Sequence, residues 1–217
     1  MQIVDSGNSI VILGHWNIHS FSNKWMQEKL CSKKDEPIQV GIPMNLTNAP
    51  DAPTYIAFEN IKLIFGYQSL QIMAEKRSSS ALAKCAEIAE KIIKNLSQTP
   101  VSGIGVNVCF EETDNPEKIL SKLIFDDSKK INSDKFQFLA SSARRTYLLE
   151  NKCKLNFEIM SLNPDKVIMQ FNYHYDIQNT TECIKPLGEV QSLYKQAIIF
   201  MKDVYELELG EISEVSK

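Results

Sequence analysis

Apolar residues alternate with polar ones through several short stretches of this chain, and twice the period lengthens to three and four residues. A period of two sends side chains to opposite faces of a strand, whereas a period near 3.6 gathers them along one side of a helix. In the first half the pattern predicts a strand at Ser9–Trp16 and extended segments at Pro37–Met44 and Tyr55–Phe65, the last turning at Tyr67-Gln68-Ser69 into Leu70–Ala74. A short helix over Phe21–Leu30, with Phe21, Trp25 and Met26 on one face, separates the first two segments. A long helix then follows Ser78-Ser79-Ser80, whose hydroxyls can accept from the free N–H groups of a first helical turn. Leu82, Cys85, Ala86, Ala89, Ile92, Ile93 and Leu96 form its apolar stripe, which needs a sheet to bury it.

The second half repeats this order. Ile104, Val106, Val108 and Phe110 alternate as in a half-buried strand, and Asn115-Pro116 reads as the N-cap and first position of a short helix through Ile119, Leu120, Leu123 and Ile124. Lys135–Ala140 and Thr146–Glu150 are strand candidates, and Cys153–Met160 and Val167–Ile177 form a hairpin across Asn163-Pro164-Asp165. The closing helix, Leu187–Leu207, carries Leu187, Val190, Tyr194, Ala197, Ile198, Met201 and Tyr205 on one stripe.

Strand, short helix, strands, hairpin and long helix, written twice, predict an α+β fold built from an internally duplicated β-α-β(3-4)-α unit. The two long helices should pack on one face of a continuous antiparallel sheet. The repeats are 9–97 and 100–208, fused into a single domain over 1–217, since no linker-like run separates Leu96 from Val101.

At 217 residues with 43% hydrophobic content the chain can bury a sizeable core. A formal charge of −3 and three arginines, Arg77, Arg144 and Arg145, predict weak or absent binding to random duplex DNA, which needs clustered cations to displace phosphate counterions. Lys33-Lys34 and Lys129-Lys130 sit beside Asp35-Glu36 and Asp126-Asp127 and read as solvated loops. No apolar run approaches the roughly 18 residues that span a bilayer, and Met1–Asp5 is unlike a signal peptide, so a cytoplasmic protein with no membrane partner is expected. Cys31, Cys85, Cys109, Cys153 and Cys183 are odd in number and widely spaced, which favours free thiols over disulfides or metal ligands.

The repeated order is similar to the duplicated TATA-binding-protein-like fold, a resemblance of topology that spans nearly the whole chain and implies a curved antiparallel sheet with the helices on its convex side. Pro100-Val101-Ser102-Gly103-Ile104-Gly105-Val106-Asn107, together with Asn172-Tyr173-His174-Tyr175-Asp176, also resembles a group of uncharacterised bacterial proteins with a Pro-Val-Ser/Thr-x-(Ile/Leu/Val)-Gly-(Ile/Val)-Asn strand. That resemblance implies no activity.

No catalytic signature accompanies the fold. His15 and His19 have metal-compatible spacing, but His15 ends a strand and His19 lies in a turn, so no metal site or cofactor is expected. Gly103-Ile104-Gly105 sits inside a strand and reads as close packing rather than a phosphate loop. The candidate site is the last hairpin. Val167, Met169, Phe171, Tyr173, Tyr175 and Ile177 should face the helices with Cys153, Leu155, Phe157 and Ile159, leaving Ile168, Gln170, Asn172, His174 and Asp176 outward beside Lys154, Asn156 and Glu158. Such a face can simply be wet, or it can recognise a partner, with Ile168 and Ile64 as apolar contacts. Truncating Asn172, His174 and Asp176 should cost roughly 0.5 kcal/mol or less apiece.

The expected function is a non-enzymatic binding module, a component of a larger bacterial assembly that engages a protein partner through the sheet face or an edge strand; a homo-oligomer is left open. A nucleic-acid role by fold analogy and an enzyme whose site is built from His174, Asp176 and Glu158, with His174 and Asp176 as its acid–base pair, are the alternatives.

Overall fold

The computed structural model describes residues 1–4, 7–33, 35–42, 53–75, 80–123, 140–163 and 165–210. Ten antiparallel strands occur among them: β1 (Gln2–Ile3), β2 (Ser9–Gly14), β3 (Gln39–Gly41), β4 (Thr54–Phe58), β5 (Ile61–Gly66), β6 (Ser69–Ala74), β7 (Val101–Glu112), β8 (Ser141–Leu148), β9 (Lys154–Asn163) and β10 (Lys166–Asp176). The sheet runs β3-β4-β5-β6-β2-β7-β10-β9-β8, with β1 pairing to β7 off this path. Outward from the central β2–β7 pair the neighbours are therefore β6, β5, β4 and β3 on one side, and β10, β9 and β8 on the other. This sheet is larger than the sequence pattern alone outlines.

Among the described residues four helices accompany it: α1 (Asn23–Lys29), α2 (Ala81–Asn95), α3 (Pro116–Leu123) and α4 (Ile184–Tyr205). Helix α2 lies against β6 and β2, α4 lies against β7 and β10, and the two helices touch each other. Their stripes fill the core: Leu82, Cys85, Ile88, Ala89, Ile92 and Ile93 of α2 and Leu187, Val190, Leu193, Ala197 and Met201 of α4 are buried. Opposing them, Ile10, Ile12, Leu70 and Ile72 meet Ile104, Val106, Val108 and Phe110 across the sheet centre. Pro186 is accommodated in the first turn of α4, where its missing N–H would have no intrahelical partner.

Several local expectations need correction. The segment Tyr55–Phe65 is two strands, β4 and β5, because Glu59 and Asn60 take left-handed backbone angles (φ 45° and 60°) and close a two-residue hairpin. Glu59 is an unusual residue there, and tertiary contacts fix it: its carboxylate accepts hydrogen bonds from the backbone N–H and the hydroxyl of Ser32 and faces Lys84 at 3.9 Å. Ser80 precedes α2 but its side chain makes no capping hydrogen bond, whereas Ser22 accepts from Trp25 N–H at the start of α1. The strand expected at Thr146–Glu150 begins earlier, at Ser141, and ends at Leu148. Of Lys135–Ala140, only Ala140 is described, and it is not in a strand. Ser78, Ser79, Ile124, Met44, Lys34, Arg77 and the 126–130 charge run lie outside the described residues.

Candidate binding surface

The two-residue period of β10 holds along its length. Val167, Met169, Phe171, Tyr173 and Tyr175 are buried under the helices, while Ile168, Gln170, Asn172 and His174 are half-buried on the opposite face and Asp176 is exposed there. Strand β9 follows suit, with Leu155, Phe157 and Ile159 buried and Lys154, Asn156 and Glu158 outward. Register brings these sets side by side: Gln170 opposes Glu158, Asn172 opposes Asn156, and His174 opposes Lys154. All eight residues expected from the hairpin thus share one face, on which no helix packs among the described residues. Ile64 lies on the same face, opposite Tyr55 and Gln71.

At the centre of this face the side chains are joined into a ladder that crosses six strands. Thr146 on β8 donates its hydroxyl to Asn156 Oδ1 at 2.9 Å, Asn156 Nδ2 donates to Asn172 Oδ1 at 3.1 Å, and Asn172 Nδ2 donates to Asn107 Oδ1 at 2.7 Å. Asn107 Nδ2 then donates to Ser9 Oγ at 3.1 Å, which also accepts from Gln71 Nε2 on β6 at 3.1 Å. A carboxamide has two N–H donors and a carbonyl with two lone pairs. Asn156 and Asn172 each spend one donor and part of the carbonyl on the ladder, so each keeps a donor and acceptor capacity toward the open side.

Glycine makes the ladder possible. An added Cβ at Gly105 would lie 3.0 Å from Asn172 Nδ2, and one at Gly103 would lie 3.0 Å from His174 Cε1 and 3.1 Å from Leu13 Cδ1. The β10 side chains thus lean over the backbone of β7, which is the close packing expected for Gly103-Ile104-Gly105.

Beside the ladder lies a shallow, open depression of about 180 Å³ lined by Asn107, Arg144, Asn156, Glu158, Gln170 and Asn172. Arg144 on β8 stands directly opposite Glu158 on β9. Neither side chain makes a hydrogen bond or ion pair, and neither does that of Gln170, among the described residues. On the other side of the ladder, Asp176 takes an ion pair from Lys154 at 2.5 Å and a contact from His174 Nε2 at 3.1 Å. Lys154, and then His174, hold the Asp176 carboxyl below its usual range. His174 and Asp176 thus stand together, whereas Glu158 is separated from them by the Asn156–Asn172 rung, so the structure does not bring all three residues of the enzyme alternative into one site.

The thiols are poor nucleophiles. All five cysteines are free, four of them buried, and burial pushes Cys85, Cys109 and Cys183 up to about 12. His15 directly follows β2, and His19 lies in a short 3-10 turn over Ile18–Ser20.

Sequence periodicity located one hairpin of this surface but missed Ser9, Gln71, Asn107, Arg144 and Thr146. The outward phase of Asn107 was implicit in the inward set Ile104–Phe110, yet only the strand order sets it beside Asn172. No family model matches the chain, and no curated protein matches it.

Proposed function

We propose that this chain is an internally duplicated, TATA-binding-protein-like domain acting as a non-enzymatic binding module, and that it takes a protein partner on the sheet face opposite its helices. The duplication reading is supported by the strand order outward from β2 and β7, in which each half places its later strands beside its first. It is also supported by α2 and α4, which end the two halves and lie against equivalent strands. Free, buried thiols fit a reducing compartment, and we place the protein in the cytoplasm as part of a larger bacterial assembly.

The observation that carries the binding reading is the ladder with its unengaged neighbours. A face that is merely wet needs no chain of side-chain hydrogen bonds across six strands. Ordering those side chains costs conformational entropy, and the result is a rigid row of donors and acceptors beside Arg144, Glu158 and Gln170. Preorganised polar groups of this kind favour association by lowering the ordering cost at the moment of binding. The alternatives draw less support. The outward cations Lys154 and Lys166 are held by Asp176 and Glu111, and Lys62 lies 3.8 Å over the Tyr55 ring, so the face is mixed in charge rather than a basic stripe for phosphate. The depression is shallow and is lined by neither His174 nor Asp176.

The test is co-purification of the native protein with and without Arg144→Ala, Glu158→Ala and Gln170→Ala combined. These truncations break no side-chain hydrogen bond among the described residues, so the melting temperature should stay close to that of the parent while the co-purifying protein is lost. Retention of that protein by the triple variant, or its loss on replacing Lys195 of the helical face instead, would move the binding surface elsewhere.

A further inference from the structure

We infer that the protein partner on this face is a second copy of the same chain, an inference that rests on the outer-face reading above. Arg144 and Glu158 stand opposite each other on β8 and β9 and are both unengaged. Two opposite charges side by side are their own complement. A two-fold axis lying in the face, parallel to the strands and between β8 and β9, sets Arg144 over the second copy's Glu158 and Glu158 over the second copy's Arg144. A single symmetry operation thereby forms two ion pairs, as a self-complementary isologous interface requires.

The neighbouring positions obey the same operation. Thr146 and Asn156, the next pair along these strands, exchange places across the axis. A carboxamide with both a donor and an acceptor left over can meet a copy of this row without a mismatch of like groups. Around the charged pair, Leu148 is 74% exposed, and the outward Met160 and Ile168 are half-buried. Across the axis Leu148 meets the second copy's Lys154 and Met160 meets the second copy's Ser142, while Ile168 on β10 lies at the rim of the β8–β9 overlap. A strongly acidic or basic partner would leave one charge of the Arg144–Glu158 pair facing its like, whereas the second copy satisfies both. Arg is also among the residues enriched at protein interfaces.

Sedimentation velocity of the full chain across the micromolar range tests this. The parent should sediment as a dimer at tens of micromolar. Arg144→Glu alone and Glu158→Arg alone each create two like-charge contacts per dimer and should weaken association by roughly tenfold or more. The double variant, Arg144→Glu with Glu158→Arg, restores the complement and should return to dimer. Lys195→Glu on the helical face should behave as the parent. A monomeric parent throughout the range, single reversals that leave the dimer intact, or a double variant no better than the singles would each overturn the inference. If the parent is monomeric but Arg144→Ala, Glu158→Ala and Gln170→Ala together still strip a different protein from it, the outer-face reading stands and only the second copy falls. If neither effect is seen, both fall.

Discussion

Single residues on the outer face are not interchangeable, and Asn172 departs most from what the two-residue period implies. From the sequence it belongs with His174 and Asp176 as an outward residue of low cost. In the structure it joins Asn107, 8% exposed, to Asn156, and its removal leaves the Asn107 carbonyl without the donor that it has now. Asn172→Ala should therefore destabilise by about 1–3 kcal/mol, while His174→Ala with Asp176→Ala changes stability little; equilibrium urea unfolding of the two variants separates them, and equal midpoints would contradict the ladder. Glu112 behaves differently because it is buried and charged. Burial alone would raise its carboxyl, but the Met1 ammonium at 2.8 Å and the backbone N–H groups of Asn115 and Asp114 offset this and hold it below the ordinary value of 4.5. A carboxyl lowered by folding stabilises the protein at pH above its unfolded value, and that contribution is lost as pH falls through the folded one. Glu112→Ala should cost about 3–5 kcal/mol near neutrality, with the gap from the parent narrowing as pH drops below about 4.5; a gap that widens with acid would show that this ion pair has the wrong sign.

Among the elements, β10 is the strand on which core and surface meet, so it separates the two kinds of residue most sharply. Phe171 is fully buried and its ring contacts those of Phe110, Phe157, Tyr173 and Phe200. Phe171→Ala should cost about 3–5 kcal/mol, far more than any outward neighbour of β10; a thermal melt close to the parent's would mean that the register is shifted by one residue. This register was legible in the sequence because large apolar side chains occupy every second position from Val167 to Tyr175. The hairpin at Glu59-Asn60 was not, since it lacks glycine and is fixed by Ser32 and Lys84 from elsewhere in the chain. The helix stripes were readable for the same reason as β10, whereas the cap at Ser80 was read from residue type alone and the geometry did not supply it.

For the whole molecule, the sheet has two unlike faces, and the proposed function follows from the one on which none of the described helices packs. The helices α2 and α4 take one face, and none of the described helices is long and apolar enough to cross a membrane. The other face carries the ladder, and four of its six residues, Ser9, Gln71, Asn107 and Thr146, were beyond reach of the sequence: Ser9 and Asn107 are distant in the chain from Asn172 and line up with it only through the β2-β7-β10 order. Periodicity states which way a side chain points, but not what stands beside it. The most direct measurement of the central claim is site-specific photocrosslinking in the native cells, with the photoreactive residue at Gln170 on the outer face or at Lys195 on the helical face. Gln170 should give a discrete crosslinked product, of twice the chain mass if the partner is a second copy, and Lys195 should give none; a product from Lys195 with none from Gln170 would contradict the assignment of the open sheet face as the binding surface.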